Sequence, residues 1–180
     1  MINFRFRKLN IDRDLAFLYE IYSDNNETSL FSLPLIFTDY QSFKNVILEK
    51  TYESLLFRII ESDNGDLLGL IYAHNYKPSE KAIRFTICVQ KNYRMYGIGA
   101  ICAIEYVKLL FESLPLEKVI VTILSSNQHS LLNSVKFGFL EETTLNKIIN
   151  INGKEEKMVF LSITKSSFYQ RYSHFINSQK

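Results

Sequence analysis

Cysteine is scarce in this chain: its 180 residues hold only Cys88 and Cys102. One falls in an expected strand and the other in an expected helix, so both read as buried free thiols of a reducing compartment and not as a disulfide framework. No stretch reaches the ~18 consecutive apolar residues of a membrane-spanning helix. The opening MINFRFRKLN alternates apolar and basic residues and lacks the continuous apolar segment of an export signal. A cytoplasmic chain without membrane attachment is expected. Nor is there a concentration of one charge: 21 basic and 19 acidic residues are interspersed, which leaves no electrostatic footprint for nucleic acid. His129 and His174 have no Cys, His or acidic partner at ligand spacing, so no metal is expected. The patterns G-x-S-x-G, P-loop and H-E-x-x-H are also missing.

What the chain does have is apolar content, 47% of its residues, enough for one ordinary domain. Residues 1 to 165 are expected to form that domain. Residues 166 to 180 are expected to be a C-terminal tail, because the stretch from Lys165 carries basic residues and no acid, as a solvated terminus does. Phe4 and Phe6 alternate with Arg5 and Arg7 as in a half-buried strand. Asn10 or Asp12 can cap a helix carrying Leu15, Leu18 and Tyr22, and Thr38 or Asp39 can cap a second one carrying Phe43 and Ile47. Two apolar runs, Leu55 to Glu61 and Asp66 to His74, flank a Ser-Asp-Asn-Gly loop and predict a hairpin. Tyr76 to Ser79 reads as a turn before a strand at Ile83 to Val89. Further strands are expected at Lys118 to Leu124, Lys147 to Ile151 and Met158 to Ile163, the last two joined across Asn152-Gly153. Helices are expected after Gly97 and at His129 to Phe137, the latter ending at Gly138. The order predicts an α/β fold with a mixed sheet of about seven strands and about four helices.

The segment from Tyr93 to Ala100 carries the most chemistry. A strand, a turn with two glycines and a helix starting inside the turn aim several backbone N–H groups at one spot, where the helix dipole adds about half a positive charge. Phosphate is the natural occupant. Gly97 and Gly99 lack Cβ atoms and admit a close approach, and Arg94 offers planar cationic donors.

Ile87 to Ala100 resembles the acyl-CoA binding signature of the GNAT superfamily of N-acetyltransferases, Q/R-x-x-G-x-G/A between a strand and a helix. Asn127, Ser130 and Lys136-Phe137-Gly138-Phe139 resemble the family's second segment. The resemblance implies a GNAT-like sheet splayed between the fourth and fifth strands, with acetyl-CoA as co-substrate and an amine as acceptor. It also implies that backbone groups of Ile87 and Val89 pair with the pantetheine arm, with the thioester near Cys88. The guanidinium of Arg94 and the amides of Met95, Tyr96, Gly97, Ile98, Gly99 and Ala100 would hold the diphosphate, with Asn127 contacting the arm from the far side and Ser130 touching the diphosphate or adenosine end. Asn127 is equally a good helix cap. Homodimers are implied by the family alone. The family's general acid, a tyrosine four residues before the glycine of Gly-Phe, falls on Ser134, and a serine hydroxyl is a poor proton donor. Tyr93, Tyr96 or water are the alternatives.

For the base, the usual glutamate of the central strand is missing. His74 has a suitable ordinary pKa near ~6.5, and Glu27 lies in the loop that overhangs the acceptor in the family. The layout around Phe160 to Phe168 resembles the subgroup of ribosomal-protein N-terminal and amino-sugar acetyltransferases. A small amine or amino sugar is the expected acceptor, a protein N-terminus is the alternative, and a CoA-binding module without catalysis is the reading from another class.

Overall fold

The computed structural model describes residues 3–23, 37–151 and 154–177; for 95, 96, 143–146, 151, 154 and 177 the backbone alone is described. Among the described residues, seven strands are hydrogen-bonded in the order β1-β2-β3-β4-β5-β7-β6, an α/β architecture with a mixed sheet. The chain divides into two compact units: Met1–Asn75 with Thr86–Gly99, and Tyr76–Phe85 with Ala100–Lys180.

In the first unit, β1 (Phe4–Lys8) runs antiparallel to β2 (Leu55–Ser62), and β2 antiparallel to β3 (Leu67–Lys77). Among the described residues, α1 (Ile11–Ser23) and α2 (Tyr40–Glu53) follow β1. Their starts match the caps read from the sequence. Asn10 Oδ1 accepts the Arg13 N–H at 3.1 Å, and Asp39 forms a capping box with Ser42. Leu15, Leu18, Ile21 and Tyr22 of α1 recur at helical spacing and bury that face with Phe43, Ile47, Ile59, Leu70, Tyr72 and Cys88. Beside this core, Asp14 and Glu61 are fully buried acids. Arg7 bridges both, at 2.8 Å from Asp14 and 3.2 Å from Glu61, and Arg5 and Arg13 also pair with Glu61. A buried charge is tolerated only when paired and hydrogen-bonded, which these arginines supply.

In the second unit, the start of β4 (Ala82–Val89) is parallel to β5 (Lys118–Leu124) across three pairs, Ala82↔Lys118 to Arg84↔Ile120. β5 is antiparallel to β7 (Lys154–Thr164) along its whole length, and β7 carries β6 (Leu140–Ile151) as its other neighbour. The helices are α3 (Ile98–Ser113), α4 (Gln128–Phe137) and α5 (Lys165–Asn177). Gly138, at φ +107°, closes α4 as expected.

Three elements differ from the sequence reading. The stretch read as a tail contains α5, whose Phe168 is fully buried against Phe111 and Phe137 and whose Tyr172 hydroxyl donates to the Phe137 carbonyl at 2.7 Å. Phe168, Tyr172 and Phe175 stand at helical spacing inside a polar segment, and the polar composition hid them. β6 starts at Leu140, seven residues before Lys147, because its pairing with β7 shifts between Glu141 and Asn146 and breaks the alternation. β3 extends through Tyr76 and Lys77, and the turn after it is a single 3-10 turn, Pro78–Glu80. Asn152 and Gly153, Glu27 and Ile2 lie outside the described residues.

Candidate functional site

In the first unit, β4 ends at Val89, a 3-10 turn spans Lys91–Tyr96, Gly97 takes a left-handed conformation at φ +69°, and α3 begins at Ile98. This is the strand, glycine turn and helix read from the sequence. The turn is tied to the strand by its own residues. Gln90 N–H donates to the Leu68 carbonyl at 2.8 Å, and Tyr93 N–H to the Gln90 carbonyl at 2.9 Å. Arg94 Nε donates to the Val89 carbonyl at 2.8 Å, so the guanidinium fixes the turn against the strand end. Gly97 and Ala100 are exposed, while Ile98 anchors the helix start in the interior. A Cβ on Gly97 would meet nothing within 4 Å, so that side of the turn is open space. A Cβ on Gly99 would stand 3.6 Å from Val89 Cγ2, an ordinary contact that packs the helix start on the strand.

The helix start is therefore accessible and positive in character. Its N–H groups lack intrahelical partners, and α3 has no acid in its first turn to compete with an anion.

Three residues before the turn, Cys88 is 7% exposed and points into the core beside Tyr22 and Tyr72. Burial pushes the Tyr22 hydroxyl well above its ordinary value, with Tyr72 and Cys88 adding to the effect, so Tyr22 keeps its proton at neutral pH. His74 on β3 is half-buried, and its Nε2 lies 3.2 Å from Thr86 Oγ1 on β4. The structure thus brings His74 to the strand that leads into the turn.

In the second unit, Asn127 caps α4: its Oδ1 accepts the Ser130 N–H at 3.1 Å. Ser134 is half-buried, and its carbonyl accepts from Phe139 N–H at 3.0 Å as part of the helix end. Cys102 is fully buried, and its thiol is pushed up to about 12 by burial and by the nearby Glu105 carboxylate. A thiol in that range stays protonated and cannot serve as an acyl-accepting nucleophile. Among the described residues no cluster of His, Cys, Asp and Glu is placed to hold a metal ion. Met95 and Tyr96 contribute backbone to the turn. Glu27 lies outside the described residues.

Sequence reasoning missed Gly69 of β3. A Cβ there would overlap the Cys88 carbonyl oxygen and come to 3.0 Å from Val89 Cα, so the two strands meet in a way only glycine allows. A lone glycine inside an apolar strand pattern is the signal that marked it.

No family model matches the chain. A protein of Bacillus subtilis named "Putative ribosomal N-acetyltransferase YdaF" is 26% identical over 102 residues, 57% of this chain and 56% of that protein. The chain thus matches about half the length of this curated relative. Among solved structures, a spermidine N-acetyltransferase from Vibrio cholerae in complex with CoA and spermine is similar at a TM-score of 0.80, with 18% identity over 92% of this chain and 98% of that one. A protein called "Probable acetyltransferase" is similar at a TM-score of 0.73 and 22% identity, over 91% and 94% of the two chains. The chain has the mixed α/β fold of the GNAT N-acetyltransferases.

Proposed function

We propose that the protein is an acetyl-CoA-dependent N-acyltransferase that passes an acetyl group directly to a primary amine. The observation that carries this reading is the exposed start of α3 behind the left-handed Gly97, following a strand whose end is pinned by Arg94. The amides from Met95 to Ala100 bind the diphosphate of CoA, and the strand residues Ile87 to Val89 offer backbone groups to the pantetheine arm. The thioester then sits near Cys88, where a backbone N–H polarises its carbonyl. The hydrogen bond between Asn127 and Ser130 already serves the start of α4, so this reading needs neither side chain.

The acceptor in this reading is a small primary amine, with polyamines first because the similar Vibrio cholerae enzyme was solved with spermine. Such an amine arrives as an ammonium ion, and His74 is the base that removes its proton. Ser134 takes no part in proton transfer, and the departing thiolate takes its proton from water.

Isothermal titration with acetyl-CoA is the first test; absence of heat at millimolar ligand overturns the reading. Thiol release is then followed across spermidine, an amino sugar and a peptide N-terminus. Turnover of the peptide alone moves the acceptor to proteins. Tight CoA binding with no turnover on any amine supports a non-catalytic module, the reading that serine at position 134 favours.

A further inference from the structure

The contact between Gly69 and the peptide linking Cys88 to Val89 is closer than any other residue would permit. A Cβ on Gly69 would overlap the Cys88 oxygen, approach the Cys88 carbonyl carbon to 3.1 Å and reach Val89 Cα at 3.0 Å. These atoms are backbone, which cannot swing aside as a flexible side chain could. Peptide 88–89 therefore occupies the space in front of Gly69 that a side chain would fill. Among the other glycines described, Gly65 and Gly97 meet nothing within 4 Å, and Gly99 and Gly138 meet only side chains.

The direction of that peptide follows. Its carbonyl is aimed at Gly69, and the bond is trans, since the described chain has no cis peptide. In a trans peptide the C=O and N–H vectors are opposed. The Val89 N–H is therefore aimed away from Gly69 and from β3. The next amide, Gln90 N–H, returns to β3 and bonds the Leu68 carbonyl at 2.8 Å, and Arg94 Nε holds the Val89 carbonyl from the turn. Peptide 89–90 is thus held at both its carbonyl and its N–H, and the missing Cβ of Gly69 sets where the preceding peptide 88–89 lies.

We propose that Gly69 is a positioning residue for acyl transfer: by admitting the Cys88 carbonyl into the space of its absent side chain, it aims the Val89 N–H at the thioester carbonyl oxygen. This rests on the acyltransferase reading above. In the step, the amine nitrogen forms a bond to the thioester carbon and the carbonyl oxygen takes up the negative charge. The Val89 N–H stabilises that charge until the C–S bond breaks. The amide and the CoA thiolate result, the amine's protons pass to base and solvent, and the thiolate is protonated. A Cβ at position 69 would rotate or displace the peptide and spoil the donor, while the diphosphate contacts of the turn would stay.

The experiment uses the full chain with acetyl-CoA labelled by carbon-13 at the thioester carbonyl. Infrared difference spectra are taken for the wild type and Gly69→Ala, alongside calorimetric affinities for CoA. The expected result is a higher carbonyl stretching frequency in Gly69→Ala than in the wild type, with unchanged CoA affinity. The same frequency in both folded proteins overturns the proposal. Where Gly69→Ala does not fold, the wild type labelled with nitrogen-15 valine is compared with CoA and with acetyl-CoA bound, the Val89 signal being assigned through Val89→Ile. A downfield move of the Val89 amide proton with acetyl-CoA supports the proposal, and an unmoved signal overturns it. A wild type that binds neither ligand refutes the acyltransferase reading itself, an outcome distinct from a failure confined to position 69.

Discussion

Two helices of this protein start just after a strand and begin in opposite ways. α4 follows β5 and is closed by its own chain: Asn127 Oδ1 takes the Ser130 N–H, and the Asn127 carbonyl takes the Leu131 N–H at 3.1 Å. α3 follows β4, and the residue at its cap position, Gly97, has no side chain to give. A helix start left without a side-chain cap must satisfy its N–H groups with water or a ligand. The difference separates a start closed by its own side chain from one left open. The strand leading into α3 is correspondingly secured by other means, through Arg94 on the Val89 carbonyl and Gln90 on the Leu68 carbonyl.

The strongest way to break this comparison is Gly97→Val. With φ at +69° a β-branched residue is strained by about 1–2 kcal/mol, and a Cβ there meets open space, so the substitution tests backbone conformation and not crowding. Acetyl-CoA affinity measured by calorimetry is expected to fall about tenfold or more, a factor worth about 1.4 kcal/mol or above. Unchanged affinity would remove the turn from the binding site.

The contrast also shows what could be read before any coordinates. The α3 start was legible because its chemistry is local: Arg94, Gly97 and Gly99 lie within one turn between two apolar runs. The caps at Asn10, Asp39 and Asn127 were legible for the same reason. Gly69 was not, since its role depends on a carbonyl nineteen residues along the chain and on how two strands cross. The ion-pair group of Arg5, Arg7, Arg13, Asp14 and Glu61 was equally hidden, because Glu61 joins it from more than forty residues away. α5 escaped notice because polar residues surround Phe168 and Tyr172, and only packing on Phe111 and Phe137 makes that face a core. The catalytic candidates stay the least defined by sequence: His74 finds Thr86, while Ser134 lends its carbonyl to the end of α4.

At α4 the comparison is sharpened by Asn127→Ala, which removes the cap and is expected to cost about 1 kcal/mol of stability in urea unfolding. Asn127→Ser keeps an acceptor at the cap and is expected to retain most of that stability. Its CoA affinity carries the discrimination: an affinity equal to wild type assigns Asn127 to capping alone, and a loss in this cap-preserving variant assigns the side chain to the ligand as well.

The smallest effect belongs to a third helix start, that of α2, where the cap carries a charge. The Ser42 N–H donates to Asp39 Oδ1 at 2.7 Å and the Thr38 hydroxyl to Oδ2 at 3.1 Å, and these bonds hold the carboxyl below its ordinary range. Asp39 is also the sole acid at this helix start, since the first turn of α2 has none, so its charge meets the helix dipole without competition. A carboxyl lowered in the folded state contributes stability that is fully present above its unfolded value near ~3.9 and is lost as pH falls through the folded value. Asp39→Asn keeps a capping oxygen and removes the charge, so it isolates this contribution. Wild type is expected to melt slightly above Asp39→Asn at pH 7 and to converge with it in acid below the folded value, whereas the uncharged cap at Asn127 gives its variants a stability difference that does not change over the same range. Equal melting temperatures for wild type and Asp39→Asn at pH 7 would leave the α2 cap no dependence on charge, and it would then join α4 as a start closed by hydrogen bonding alone.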